Sequence, residues 1–344
     1  MIKAIDFFCG AGGLTRGLLD AGITVLAGVD SDARLRETYE TNNHPSRFIC
    51  RDIRTIAIHE LRAATGITDA DTVLYAACTP CQPFSTLNQK RGADERKELL
   101  IVFAEMVEAA PPDFILVENV PGLNTAYGRD IYERFLRVIG AAGFSPENIY
   151  AEFIDSHDYG VPQVRKRFIL LASRHGVVLK PRRATRKPVV KTVLKKYPVI
   201  PDGGKSDRYF NHEARRLKQH HKIIVQAVPK DGGSRRDIQD KSILLKCHQD
   251  RPDVHKDVFG RMAWDEPAPT LTCRCTDVYC GRFIHPEQDR GISLREAAAL
   301  QSFPDDYVFF GTYQHIMKQI GNAVPVKLAG RLGQAIIRTT ANLT

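Results

Sequence analysis

A chain of 344 residues, 43% hydrophobic and 26% charged, is long enough to bury a large core and too apolar to stay unfolded. No apolar run approaches the ~20 residues of a membrane-spanning helix, and Met1-Ile2-Lys3-Ala4-Ile5-Asp6 places an acid where a secretion signal needs an apolar core. The expectation is therefore a cytoplasmic protein with free thiols and no membrane partner. The formal net charge of +9 is uneven: Lys180 to Arg261 holds 22 Lys+Arg against 9 Asp+Glu, a net +13, while the remainder holds 27 against 31, a net −4. One basic segment in a mildly acidic body points to a polyanion-binding module attached to an enzyme-like domain.

In chain order, Lys3-Ala4-Ile5-Asp6-Phe7-Phe8 predicts a first strand. It runs into the turn Cys9-Gly10-Ala11-Gly12-Gly13 and a helix from Leu14 to Ala21, capped by Gly22. Strand, glycine-rich turn and helix make a nucleotide cradle, because glycines let the backbone approach a ligand and the helix start offers unpaired N–H groups. The next strand, Ile23 to Val29, ends at Asp30, an acid placed to bond both hydroxyls of a ribose. Asp52 follows a further short apolar piece and is placed to accept from an adenine amino group. Thr15 stands where a dinucleotide fingerprint has Gly or Ala, which disfavours a pyrophosphate and a nicotinamide-dependent dehydrogenase. A cofactor with ribose and adenine but no phosphates suits the turn better, S-adenosylmethionine above all.

The run Thr72 to Ala76 predicts a buried strand leading into Ala77-Cys78-Thr79-Pro80-Cys81-Gln82-Pro83-Phe84-Ser85. Pro80 and Pro83 forbid continuing strand or helix, so Cys81 sits in a rigid loop at the sheet edge where open α/β folds bind ligands. There it is a candidate nucleophile. Alone, such a Cys reads as a small buried apolar side chain, and Cys78 with Cys81 also spells a C-x-x-C redox pair. Gln89 to Lys97 reads as a mobile polar loop, Glu98 to Ala110 as a helix, and Asp113 to Val117 as a strand ending at Glu118-Asn119-Val120-Pro121-Gly122. A carboxylate at the end of an apolar strand needs a partner. A helix at 132–143 and a strand at 148–154 precede Gln163-Val164-Arg165-Lys166-Arg167, where Arg165 and Arg167 alternate on an entering strand and share one face.

Alternating strands and helices through residue 173 predict an α/β fold, a doubly wound, mostly parallel sheet of Rossmann-like type, with a second, smaller basic domain. Ser293 and Glu296 spell a capping box for a helix to Gln301, and a last helix follows Ile320-Gly321-Asn322-Ala323-Val324-Pro325 to about Ile337. The remaining cysteines, Cys247, Cys273, Cys275 and Cys280, fit no standard zinc spacing, so no metal is expected.

These motifs together resemble the DNA (cytosine-5)-methyltransferases of bacterial or phage type. The resemblance rests on Asp6 to Gly13, Pro80 to Ser85, Glu118-Asn119-Val120, Gln163-x-Arg165-x-Arg167, Arg295-Glu296 with Gln301-Ser302-Phe303-Pro304, and Gly321 to Pro325. It covers nearly the whole chain except the basic stretch, and it implies a catalytic and S-adenosylmethionine-binding domain of residues 1–179 plus 319–344 and a small domain of 180–318 with a target-recognition region at about 180–261. It implies that Cys81 adds to cytosine C6, so that C5 can attack the methyl of S-adenosylmethionine. Glu118, protonated, would donate to N3, and Arg165, supported by Arg167, would bond O2. The base would be flipped out of the duplex, with the 89–97 loop closing over it. Phe8, Gly10, Gly12, Gly13, Asp30, Asp52, Pro80 and Asn322 would hold the cofactor. Gln82 and Ser85, with Arg215, Arg216, Lys218, Arg235 and Arg236 of the basic stretch, would contact DNA, and Gly232-Gly233-Ser234-Arg235-Arg236 reads as a loop able to enter a groove. The partners implied are double-stranded DNA and a restriction endonuclease acting separately on it, for a monomeric enzyme. Methylation of tRNA cytosine is the alternative.

Overall fold

The structure, a computed structural model, describes residues 1–80, 95–125 and 128–343. It contains two compact units: Met1–Tyr159, Lys166–Ala184 and Val324–Thr344 form the first, Gly160–Arg165 and Thr185–Ala323 the second. The strands are β1 (Ile2–Phe7), β2 (Thr24–Asp30), β3 (Arg47–Cys50), β4 (Thr72–Cys78), β5 (Phe114–Asn119), β6 (Ile149–Asp155) and β7 (Lys166–Ser173). The helices are α1 (Gly13–Asp20), α2 (Arg36–Asn42), α3 (Ile58–Thr65), α4 (Leu99–Ala109), α5 (Arg129–Ala141), α6 (Val190–Leu194), α7 (Gln219–Ala227), α8 (Lys246–Asp250), α9 (Leu294–Leu300), α10 (Tyr313–Asn322) and α11 (Val326–Leu343).

All seven strands belong to the first unit and form one sheet in the order β3-β2-β1-β4-β5-β7-β6. The first five neighbours pair in parallel, and β7 runs antiparallel to both β5 and β6. Strands covered on both faces read as continuous apolar runs, and Leu74 to Ala77 and Phe114 to Val117 are accordingly buried without alternation. From β1 the chain winds outward to β2 and β3, then returns to β4 on the other side of β1. That reversal is the topological switch point, where the loops leaving β1 and β4 diverge and open a crevice. At α1, Gly17 permits close contact with α11: an added Cβ would lie 2.4 Å from Ala329 Cβ. Helix α11 runs to Leu343, beyond the expected Ile337, and in this last stretch buried Thr339 accepts from Leu179 N–H at 3.0 Å.

The second unit has little regular structure. Its apolar centre gathers Ile224 and Val225 of α7 and Val228 just after it with Ile238, Phe259, Val278 and Ile284 from loops. The expected capping box of α9 is present: Ser293 Oγ accepts from Glu296 N–H at 3.0 Å, and Glu296 Oε2 accepts from Ser293 N–H at 2.7 Å.

Candidate active site

The turn after β1 is made of left-handed residues: Phe8 at φ 59°, Gly10 at 56° and Gly12 at 86°, the last being the N-cap of α1, which Gly13 begins. A phenylalanine in that region is strained, and such strain concentrates at binding sites. An added Cβ on Gly10 would meet nothing within 4 Å, so the outer side of the turn is open. Asp30, at the end of β2, accepts from Gly10 N–H and from Asp32 N–H, both at 3.0 Å, and burial pushes its carboxyl up.

Beneath the turn lies a group that the sequence reading passed over. Asp6 is fully buried, and Thr15 Oγ1 donates to its Oδ2 at 2.6 Å. The Thr15 hydroxyl also lies 2.9 Å from Tyr39 Oη, itself 2.8 Å from Ser46 Oγ. Burial pushes the Asp6 carboxyl up to about 7, against the lowering effect of the Thr15 bonds. Asp6 Oδ1 has no hydrogen-bond partner among the described residues. Buried Asp6 with its orphaned oxygen and partly buried Asp30 would repel a pyrophosphate and suit a ribose and the positive sulfonium and ammonium groups of a phosphate-free cofactor, so the cradle fits S-adenosylmethionine. The one available signal was an acid inside an apolar strand. Thr15, which breaks the dinucleotide fingerprint, is the residue that holds it. Asp52 caps the short turn Ile53–Thr55 and pairs with Arg54 at 2.6 Å, which lowers its carboxyl; an adenine amine would have to share that acid.

The second cluster joins the ends of β4 and β5, where Cys78 sits opposite Glu118. Asn119 Nδ2 donates to Thr79 Oγ1 at 2.6 Å, and its Oδ1 accepts from Val120 N–H at 2.7 Å. Asn119 thereby fixes Thr79 and half-buried Pro80, the first residues of the Pro-Cys loop. Cys81, Gln82, Ser85 and residues 89–94 lie outside the described residues. Glu118, 3% exposed, has both oxygens engaged: Arg167 Nε meets Oε1 at 2.8 Å and the Cys78 thiol donates to Oε2 at 2.8 Å. Cys78 thus serves the carboxylate in this structure.

Arg165 and Arg167 do not alternate on one strand, contrary to the sequence expectation. Strand β7 begins at Lys166, and Arg165 precedes it in the second unit. Its Nη1 donates to Leu271 O at 2.6 Å and its Nη2 to Gly321 O at 3.1 Å and Ala323 O at 3.3 Å. The Gly321 and Ala323 carbonyls flank Asn322, the exposed last residue of α10. Only glycine fits at 321, since an added Cβ would lie 1.9 Å from Thr272 O. Gln163 is likewise buried, donating to Leu300 O at 3.2 Å and accepting from Leu271 N–H at 2.9 Å.

A glycine turn with acids at successive strand ends, a Pro-Cys loop and a braced glutamate set a narrow field, and comparison with known proteins closes it. Residues 2–338 match the family model for C-5 cytosine-specific DNA methylases. The chain belongs to that family. It is 36% identical to the Type II methylase M.HgiDII of Herpetosiphon aurantiacus, over 97% of this chain and 94% of the relative. It is 28% identical to the Type II methyltransferase M.XorII of Xanthomonas oryzae, over 97% and 84%. The fold is shared with a solved Escherichia coli prophage protein (TM-score 0.73, 23% identity, 99% of this chain and 100% of that one). It is also shared with the Entamoeba histolytica methyltransferase EhMeth (TM-score 0.67, 14% identity, 99% of both chains). The protein is a DNA cytosine-5 methyltransferase, and S-adenosylmethionine is its methyl donor.

In this methylase the basic residues of the second unit divide into two kinds. Arg215, Arg216, Lys218 and Arg236 are exposed, and Arg236 pairs loosely with Asp253 at 3.5 Å. Arg235 is not a phosphate contact as expected: it is 1% exposed, and its Nη2 donates to Val254 O at 2.6 Å. The segment 232–236 is no free groove-entering loop. Gly232 N–H donates to Met262 O at 3.1 Å, Gly233 O accepts from Arg261 N–H at 2.8 Å, and Ser234 caps the turn that follows. Among the described residues no helix is long and apolar enough to cross a membrane.

Proposed function

We propose that this methylase flips one cytosine of a short duplex sequence into the crevice beside β4 and β5 and methylates it with Cys81 as nucleophile. The Cys81 thiolate adds to C6, and the electron pair of the C5–C6 bond makes C5 nucleophilic. Charge moves toward N3, where Glu118 in its acid form donates a proton. S-adenosylmethionine, held by the Phe8–Gly13 turn with Asp30 and Asp6, supplies the electrophilic methyl at C5. Water takes the C5 proton, the freed electron pair re-forms the C5–C6 double bond and expels the Cys81 thiolate, and N3 returns its proton to Glu118. Arg167 orients Glu118, and Arg165 clamps the Gly321–Ala323 segment that carries Asn322.

One observation carries this reading: a nearly buried glutamate braced on both oxygens, 2.8 Å from Arg167 and 2.8 Å from Cys78, beside the anchored start of the Pro-Cys loop. The basic second unit supports duplex DNA over tRNA. The Type II names of the relatives support a role beside a cognate restriction endonuclease, and we infer a monomeric enzyme working separately from it. The test is transfer of labelled methyl to mixed unmethylated duplex DNA, read by bisulfite sequencing. Wild type should mark one short motif, and Cys81→Ser should bind DNA without marking it. Full activity in Cys81→Ser would overturn the mechanism, and transfer to tRNA alone would overturn the substrate.

A further inference from the structure

Within the second unit, a cleft is lined by Arg215, Lys218, His221, Asp277 and Tyr279. Its organising group is Asp277, whose side chain is only 2% exposed yet meets two arginines. Oδ1 accepts from Arg215 Nη1 at 2.9 Å, and Oδ2 accepts from Arg274 Nε at 2.8 Å. Both arginine side chains remain about half exposed, at 42% and 49%. Arg274 also lies 4.8 Å over the Tyr279 ring and donates to its hydroxyl, and Arg215 N–H is held by Tyr313 Oη at 3.1 Å. Each guanidinium carries five N–H donors, so each keeps an exposed edge after these bonds are made.

We propose that Arg215 and Arg274 are the base-reading arginines of this methylase, each presenting its exposed edge to a guanine in the recognition sequence; this rests on the reading of the chain as a DNA methylase. Three features separate base reading from phosphate neutralisation. A buried carboxylate fixes the orientation of both forks before DNA arrives, and orientation matters for O6 and N7 of guanine far more than for a phosphate. Asp277 cancels one of the two charges, which weakens a phosphate clamp but leaves the donor pattern intact. Arg215 lines a cleft with an aromatic wall and Arg274 joins it through Asp277, whereas exposed Arg216 and Lys218, which line the same cleft, are not oriented by that carboxylate and are plain charges suited to the backbone. Arg274 lies outside the basic stretch, so charge counting did not point to it.

The test is selection from a randomised duplex pool by the full-length enzyme, with sequencing of the retained DNA, for wild type, Arg215→Lys, Arg274→Lys, Asp277→Asn and, as comparator, Arg216→Lys. Lysine keeps the charge and loses the fork. The two cleft lysine variants should each relax discrimination at a G·C position other than the target pair by about 5- to 150-fold, the span of one bidentate contact. Asp277→Asn should relax the same positions, and Arg216→Lys should leave the motif unchanged. Thermal unfolding checks that each variant is folded, and the exposed Arg→Lys pair suffices if Asp277→Asn is not. An unchanged motif in both cleft lysine variants overturns the proposal, as does relaxation by Arg216→Lys alone. Because retention does not require methyl transfer, a wild type that selects a motif without methylating it would sink the catalytic reading and leave this one standing.

Discussion

Replacing Thr15 by valine keeps the volume and removes one hydroxyl, which is the donor to Asp6 Oδ2 at 2.6 Å. Tyr39 keeps its bond to Ser46, so the loss falls mainly on Asp6, whose other oxygen is already orphaned. In the folded enzyme burial holds the Asp6 carboxyl at about 7, whereas an unfolded chain titrates it near 4. The folded state therefore keeps a proton that the unfolded state has lost. The associated stability is present in full below pH 4 and is lost as pH rises through 7, on the order of 4 kcal/mol in all. At pH 5 the variant loses a bond to a neutral acid, about 0.5–1.5 kcal/mol. At pH 9 it loses a bond to a carboxylate, about 1.5–3 kcal/mol, because the hydroxyl is what makes the buried charge tolerable. Thermal unfolding of the cofactor-free protein at both pH values should therefore show the larger deficit at pH 9. An equal deficit at both, or a larger one at pH 5, would refute the assignment of Asp6 as the titrating group beneath the turn.

Glu118→Gln should lower methyl transfer about 10²- to 10⁴-fold, measured with labelled cofactor, while leaving DNA retention intact. Cys78→Ala removes a thiol that donates to Glu118 but does not itself attack, so the rate should fall less than about tenfold; a loss equal to that of Cys81→Ser would mean that the two thiols act together. Gly321→Ala places a Cβ 1.9 Å from Thr272 O and should cost about 1–3 kcal/mol in unfolding and weaken cofactor binding in calorimetry. Glu296 is a separate acid probe: although burial raises it, the Arg290 ion pair at 2.7 Å and its hydrogen bonds hold its carboxyl at about 2. Its contribution is present above pH 4.5 and lost as pH falls toward 2. Glu296→Gln should therefore destabilise the protein at pH 7 and differ little from wild type near pH 2, by circular dichroism.

The parts of the fold that were legible in the sequence are those fixed by local chemistry. The glycine turn, the apolar strands and the Ser293–Glu296 box each depend on neighbours a few residues away. The missed parts join distant residues through a single atom. Thr15 reaches Asp6 and Tyr39, Cys78 reaches Glu118 forty residues on, and Arg165 collects carbonyls more than one hundred residues away. Such partners leave no period and no spacing. Arg165 and Arg167 show the failure most clearly: alternation put them on one face, yet the strand starts between them and they serve different units.

The same distinction explains why a count of arginines overstated the DNA-facing charge. A unit built mostly of loops leaves many buried carbonyls without strand or helix partners, and each must find a donor. Arginine carries five donors on one planar group and can satisfy several carbonyls at once. Arg261, fully buried, bonds to the carbonyls of Val225 at 2.9 Å, His285 at 2.9 Å and Gln288 at 2.7 Å, with Asp289 beside it as counter-charge. Arg295 bonds to those of Phe210 at 2.8 Å, Pro304 at 3.0 Å and Tyr307, and Arg282 to those of Gly232, Gly233 and Arg261. These side chains hold an irregular domain together in place of a sheet. What marks an arginine for recognition here is therefore not its position in a basic run but a guanidinium oriented by a carboxylate with an edge still open to solvent. Arg215 and Arg274 meet that condition on Asp277, and Arg235 does not.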